Sequence, residues 1–98
     1  MLARITRFKM TPDSAAAARA LIESLRAEIM ALPGMQGCIN VMNEDGSGYV
    51  ISLIDTAGTS PESVDRVRAI WHKFRDHVET MPAPEIFDVI SEWRQGRA

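Results

Sequence analysis

A repeat within the chain constrains its fold more than any other feature. Thr11-Pro12-Asp13-Ser14 recurs as Ser60-Pro61-Glu62-Ser63, 49 residues further on and half the length of a 98-residue chain. Each tetrapeptide reads as a helix start. The hydroxyl serves the free backbone donors at the N-cap, proline suits the first helical position, and an acid follows where the helix dipole favours negative charge. The offset continues along both helices, pairing Leu21 with Ile70, Ile22 with Trp71, Leu25 with Phe74, Ile29 with Val78 and Leu32 with Met81. It ends at Leu32-Pro33 and Met81-Pro82, because proline cannot continue a helix and disfavours helical geometry in the residue before it. Two amphipathic helices that merely share start and stop signals would give the same element order without a true repeat.

The spacing predicts a first helix over residues 12–32, with Ala18, Leu21, Ile22, Leu25, Ile29 and Leu32 on one stripe and Arg19, Glu23 and Arg26 directed away. A second helix over residues 61–80 buries Val64, Val67, Ile70, Trp71, Phe74 and Val78, with Arg68, His72, Arg75 and Glu79 on its opposite face. Between them, Gln36 to Glu44 and Tyr49 to Thr56 flank Asp45-Gly46-Ser47-Gly48, a turn whose Asp-Gly pair tolerates the positive φ that tight hairpins need. Leu2 to Lys9 forms a strand before the first helix, and Glu85 to Trp93, rich in Ile, Phe and Val, forms one after the second. The order is β-α-β-β-α-β. Right-handed crossovers turn it into an α+β, ferredoxin-like sandwich: a four-stranded antiparallel sheet, both helices on one face, the first and third strands central. One domain spanning residues 1–98 is all a chain of this length is expected to build.

Composition excludes several function classes. The chain carries 13 acidic and 11 basic residues, a formal net charge of −2, so it lacks the positive field that non-specific phosphate binding needs and no nucleic-acid partner is expected. RNA binding by a ferredoxin-like sheet would also want exposed aromatics with a basic surround, and Gly48-Tyr49-Val50-Ile51-Ser52 offers one aromatic and no cation. Cys38 is the single cysteine, which rules out an intramolecular disulfide and points to a reducing, cytoplasmic setting. No run approaches the ~18 apolar residues of a membrane span, so no membrane partner is expected. Nucleotide-binding glycine loops are missing, and His72 and His77 stand five apart, about 140° around a helix at ~100° per residue, so they cannot pair on one metal. Neither a metal nor a bound cofactor is expected.

Helices on one side leave the other sheet face bare, and its residues show whether it meets water or a partner. If the repeat makes Ile5 equivalent to Ile54 and helix-facing, then Leu2, Arg4, Thr6 and Phe8 share the bare face with Tyr49, Ile51, Leu53 and Asp55. Such a face is too apolar for water. A twofold homodimer with the two sheets facing each other would bury it, either as a solid core or around a cavity whose mixed lining of Arg4, Thr6 and Asp55 suits a small aromatic or hydrophobic ligand.

The short β-α-β-β-α-β chain, Leu32-Pro33-Gly34-Met35-Gln36-Gly37 after the first helix, the acidic hairpin turn, and Pro84-Glu85-Ile86-Phe87-Asp88-Val89 entering the last strand together resemble the antibiotic biosynthesis monooxygenase-like proteins of the dimeric α+β barrel superfamily. The resemblance covers nearly the whole chain. It implies sheet-to-sheet pairing of two ferredoxin-like subunits, and activities that range from cofactor-independent oxygenation of aromatic substrates to haem degradation. Aromatic oxygenases of this kind present a Trp, an Asn and an Arg to substrate, which Trp71, Asn40 and Arg4 match by residue type.

Arg4 could hold an anionic substrate or stabilise an enolate-like charge in a low-dielectric pocket, or instead pair with Asp55 across an interface. Asn40, between Ile39 and Val41, becomes a site residue if it faces a cavity and an ordinary strand residue if it faces solvent. His77, beside Phe74 and Val78, could reach the cavity mouth as a general base or haem ligand, or serve structure alone. Trp71, Tyr49 and Phe8 are the candidate substrate-contacting aromatics, and Trp71 would serve equally as core. Cys38 has no adjacent base in Gly37-Cys38-Ile39-Asn40 and reads as a structural thiol. The expected function is a small homodimeric monooxygenase acting on an aromatic without cofactor. The alternatives are a non-catalytic dimer that binds a small ligand or acts as an interaction module, and haem binding or degradation, which the lack of Asn in the first strand opposes.

Overall fold

A computed structural model describes residues 1–96. Strand β1 (Leu2–Lys9) leads to helices α1 (Ala15–Ser24) and α2 (Arg26–Met30), then to the hairpin of β2 (Met35–Met42) and β3 (Ser47–Ile54). A 3-10 turn (Thr56–Thr59), helix α3 (Pro61–His72) and strand β4 (Glu85–Asp88) follow. The four strands form one sheet in the order β2-β3-β1-β4, antiparallel at every pairing, with β1 and β3 central. This is the ferredoxin-like α+β fold that the element order implies.

The helix boundaries differ from the periodicity for local reasons. At Ser60-Pro61 the expected cap is present: the Ser60 hydroxyl accepts from the Ser63 amide at 3.1 Å, with proline at the first helical position. Thr11-Pro12-Asp13 forms a turn instead, with Asp13 at φ +70° and the Thr11 hydroxyl donating to Ser14 Oγ at 2.7 Å, and the helix begins one turn later. The first helix is also interrupted at Leu25, where the Ser24 hydroxyl donates to the Leu21 carbonyl at 2.6 Å and competes with the backbone ladder. After His72 the chain tightens into i to i−3 hydrogen bonds, and the end of β1 then captures it. Val78 bridges Met10, and the Glu79 amide donates to the Lys9 carbonyl at 2.9 Å.

The N-cap residues Ser14 and Ser60 are thus 46 apart, three fewer than the sequence repeat. Three residues is nearly one helical turn, so the apolar stripes still superpose. It is an odd number, however, and strands alternate with a period of two, so the shift exchanges the faces of β1. Register makes the correction explicit. Leu2 lies opposite Ile54, Arg4 opposite Ser52, Thr6 opposite Val50 and Phe8 opposite Gly48. Phe8 belongs to the helix-side core with Ala18, Leu25, Val67, Ile70, Trp71 and Phe74, so Leu2, Arg4, Thr6 and Phe8 face the helices. The expected grouping of these residues with Tyr49, Ile51 and Leu53 is wrong. The bare face carries Ala3, Ile5, Arg7 and Lys9 beside Tyr49, Ile51 and Leu53. Asp55 is not on that face either: it caps the 3-10 turn, accepting from the Ala57 amide at 2.8 Å.

Strand β4 is shorter than the expected Glu85 to Trp93. Its register places Asp88 opposite Leu2, and the Val89 amide closes the ladder on the Met1 carbonyl at 3.1 Å. Beyond that point Ile90 and Trp93 are 95 % and 91 % exposed. Among the described residues no helix is long and apolar enough to cross a membrane.

Candidate functional site

A knot of loop contacts prepares the site. Gly34, at φ +74°, follows Leu32-Pro33, and its carbonyl accepts from the Asp55 amide at 3.0 Å; a Cβ at Gly34 would collide with the Asp55 carboxylate and the Gly58 amide. The buried Ser63 hydroxyl donates to the Ala57 carbonyl at 3.1 Å, tying α3 to the same loop. Gly58 can pack there only as glycine, since a Cβ would lie 2.7 Å from the Cβ of Ile54. The result is a fixed Gly58 carbonyl beneath α3, and Arg4 Nη1 donates to it at 3.2 Å.

Arg4 is 6 % exposed, on a central strand, under the helices. No carboxylate pairs with it among the described residues. Burial pushes the guanidinium below its ordinary value, with the nearby Cys38 sulfur acting in the opposite sense, but an arginine so perturbed still carries its charge near neutrality. Such a charge, taken out of water and left without a counter-ion, is costly unless something else supplies negative charge.

Between the helices and the β2–β3 side of the sheet lies a cavity of about 610 Å³. Its floor carries the buried polar groups Arg4, Thr6 and Ser52, and Phe8, Ile70 and Trp71 contribute to its apolar wall. Trp71 is held there by the spacing of α3 and by two aromatic neighbours, Phe8 at 5.9 Å and Phe74 at 5.5 Å between ring centroids. At the rim stand the exposed Asn40 on β2 and Arg19 and Glu23 on α1. Cys38 links rim to floor, with its sulfur 3.7 Å from Asn40 Oδ1 and 3.9 Å from the Ser52 hydroxyl. An arrangement of this kind can hold a flat apolar ligand against Trp71 and Phe8 and present one oxygen to a guanidinium.

Of the residues singled out in the sequence, the structure brings Arg4, Asn40, Trp71 and Phe8 to this cavity. Two others lie elsewhere. Tyr49 is on the bare face, 43 % exposed, in register with Arg7 and Val41. His77 does not line this cavity; its Nδ1 stands 3.4 Å from Ser14 Oγ and its carbonyl accepts from the Thr11 amide at 2.7 Å, a structural tie between α1 and the segment after α3. Arg19 and Glu23, read from periodicity as directed away, stand at the rim. Ser52 was missed although it carried a signal: it is the polar interruption in Val50-Ile51-Ser52-Leu53-Ile54, and a polar residue inside an apolar central strand asks for a partner. Among the described residues no group of three or more His, Cys, Asp or Glu side chains converges as a metal site would require.

Solved structures share this architecture. A protein of unknown function from Nitrosomonas europaea is 16 % identical over 98 % of this chain and 95 % of its own, with a TM-score of 0.78. A protein from Bordetella bronchiseptica, assigned provisionally as an antibiotic biosynthesis monooxygenase, is 13 % identical over 92 % of this chain and 97 % of its own, with a TM-score of 0.70. A structure described as an antibiotic biosynthesis monooxygenase is 14 % identical over 93 % of this chain and 100 % of its own, with a TM-score of 0.62. The chain therefore has the fold of antibiotic biosynthesis monooxygenase-like proteins, at identities that carry fold and not activity. No protein-family model matches the sequence, and no curated protein matches it.

Proposed function

We propose that the chain is an antibiotic biosynthesis monooxygenase-like protein that oxidises an electron-rich aromatic without metal or flavin, in the cavity between helices and sheet. The observation that carries this reading is a buried Arg4, without a carboxylate partner among the described residues, on the floor of a cavity walled by Phe8 and Trp71. A phenol or an enolisable ketone lying on Trp71 with its oxygen toward Arg4 ionises more readily there, because the guanidinium stabilises the oxyanion in a low-dielectric site. The electron-rich anion then reacts with dioxygen directly. Conversion of a ring CH2 to C=O consumes one dioxygen and releases one water, and all four electrons come from the substrate, so no external reductant enters. Asn40 would orient the substrate at the rim. With His77 outside the cavity, proton removal falls to solvent or to Glu23.

His77's position also supports a second reading, in which the cavity binds such a ligand without turning it over. An oxygen electrode separates the two. With hydroquinones and anthrone-like ketones, the oxygenase reading expects oxygen uptake above the uncatalysed rate, at one dioxygen per product, and a loss of at least tenfold in Arg4→Met. Ligand binding with no oxygen uptake would leave the binding module.

Self-association through the bare face is part of the same reading. Ile39, Ile51 and Ile5 stand side by side across three strands, and Ile39, Tyr49 and Phe87 are 59 %, 43 % and 48 % exposed. An apolar face of that extent is suited to a second copy of the sheet. Because the ligand cavity lies on the opposite side, each protomer carries a complete site.

A further inference from the structure

On the β4 side of Arg4 lies a second cavity, of about 480 Å³, bounded by α3, β4 and the segment Met81 to Pro84. It shares Arg4, Val67 and Trp71 with the first cavity, so these three side chains are the partition between the two. The charged groups that line it, Arg4 and Arg68, are of one sign. Arg4 lies on the floor and Arg68 and His72 at the rim, and among the described residues neither Asp nor Glu lines it. Arg68 has Asp65 at 3.7 Å on its own helix, but both groups are solvent-exposed and the pair is weak. The remaining surface is mainly apolar, with Val64, Val67, Met81, Pro82 and Ile86 beside the Trp71 ring and with Thr59 as its one hydroxyl among the described residues. Val64 and Ile86 are 46 % and 47 % exposed, an uncovered apolar wall on each side of the groove.

The hydrogen bonding of Arg4 points the same way. A guanidinium has five N–H donors. Only Nη1 has a protein partner among the described residues, the Gly58 carbonyl, yet no buried side-chain nitrogen or oxygen lacks a partner. The other guanidinium nitrogens therefore open onto cavity space. We propose that this second cavity is a binding site for a small amphipathic carboxylate, its carboxylate on Arg4 and its alkyl chain between Val64 and Ile86. Charge selects the anion, and the exposed aliphatic walls of Val64 and Ile86 give an alkyl chain its apolar contact. The site shares Arg4, Val67 and Trp71 with the first cavity, but carboxylate binding here does not require the aromatic-binding reading of that cavity to hold.

Octanoate and 1-octanol, titrated into the unmodified protein and followed by methyl and arginine Nε–H NMR, form the test. Octanoate is expected to move the Ile86, Met81 and Val64 methyls and the Arg4 Nε–H, and to bind at least tenfold more tightly than octanol. The Ile22 and Val50 methyls of the first cavity should stay in place. Arg68→Gln, an exposed substitution that leaves the core intact, is expected to weaken octanoate several-fold and to leave octanol unchanged. Filling the groove with Val64→Phe should abolish octanoate binding while the melting curve shows a folded protein. Equal affinity for acid and alcohol, perturbation confined to the first cavity, or no binding of octanoate at millimolar concentration would each overturn the proposal.

Discussion

The two faces of the sheet each carry residues of the kind expected on the other. The face covered by helices carries Arg4, Thr6 and Ser52 along its two central strands, all buried, whereas the uncovered face carries Ile5, Tyr49, Ile51 and, on the neighbouring strands, Ile39 and Phe87. A globular domain that served only its own stability would place these residues the other way round. Polar groups held inside make sense where a ligand meets them, and apolar groups held outside make sense where a partner covers them. In the proposed function the helix side is accordingly the chemical face, and the bare side the assembly face.

Four substitutions would break or sharpen that contrast. The largest effect is expected on the covered face. Trp71→Ala removes a buried ring packed on Phe8 and Phe74 and joins the two cavities, and should cost about 3–5 kcal/mol in denaturant unfolding. On the bare face, Ile51→Lys places a charge amid the isoleucine row. It should raise the dimer dissociation constant by at least tenfold in light scattering, equivalent to ~1.4 kcal/mol or more, while the folded protomer loses about 1 kcal/mol or less. A wild-type protein that stays monomeric at every concentration would remove the assembly role from this face.

Arg4→Met separates function from stability. It deletes a buried charge that has no counter-ion among the described residues, so stability should be unchanged or higher by up to about 1 kcal/mol even as ligand binding is lost. A large loss of stability would mean that Arg4 is held for the fold. The smallest effect belongs to Asp45, in the hairpin turn and on neither face. Hydrogen bonds from the Ser47 hydroxyl and amide, with Lys9 nearby, hold its carboxyl below the ordinary 3.8. A lowered carboxylate stabilises the fold above pH 3.8 and loses that contribution as pH falls through its folded value. The difference in unfolding free energy between wild type and Asp45→Asn should therefore be full at neutral pH and vanish in acid.

Much of this architecture was legible in the residues. Helix caps, proline stops and an Asp-Gly turn are local signals, and they led to the right element order, sheet order and hairpin. What misled was the use of a helical repeat to align strands. A shift of three residues leaves a helix stripe almost in phase, but it exchanges the faces of a strand, and Arg4, Thr6 and Phe8 were assigned to the wrong side in consequence. The convergence of Arg4, Asn40 and Trp71 on one cavity does not follow from spacing, because it depends on which face each strand turns to the helices. His77 was drawn toward a cavity by its place beside Phe74 and Val78; α3 ends at His72, and the segment beyond it turns toward Met10 and Ser14 instead. The second cavity left no signal at all, since its walls come from α3, β4 and the Met81–Pro84 segment, which no sequence pattern relates.

The measurement closest to the central claim is a methyl and side-chain NMR titration of the protein with 2-naphthol. Val50 and Ile51 are consecutive on β3 and point to opposite faces, so they report on the two sides with equal access to the same strand. Binding between helices and sheet should move the Val50 methyls, the Trp71 indole N–H and the Arg4 Nε–H, and leave the methyls of Ile5 and Ile51 where they were. Shifts at Ile5, Ile51 and Tyr49 with Val50 and Trp71 unmoved would put the ligand on the bare face and contradict the account.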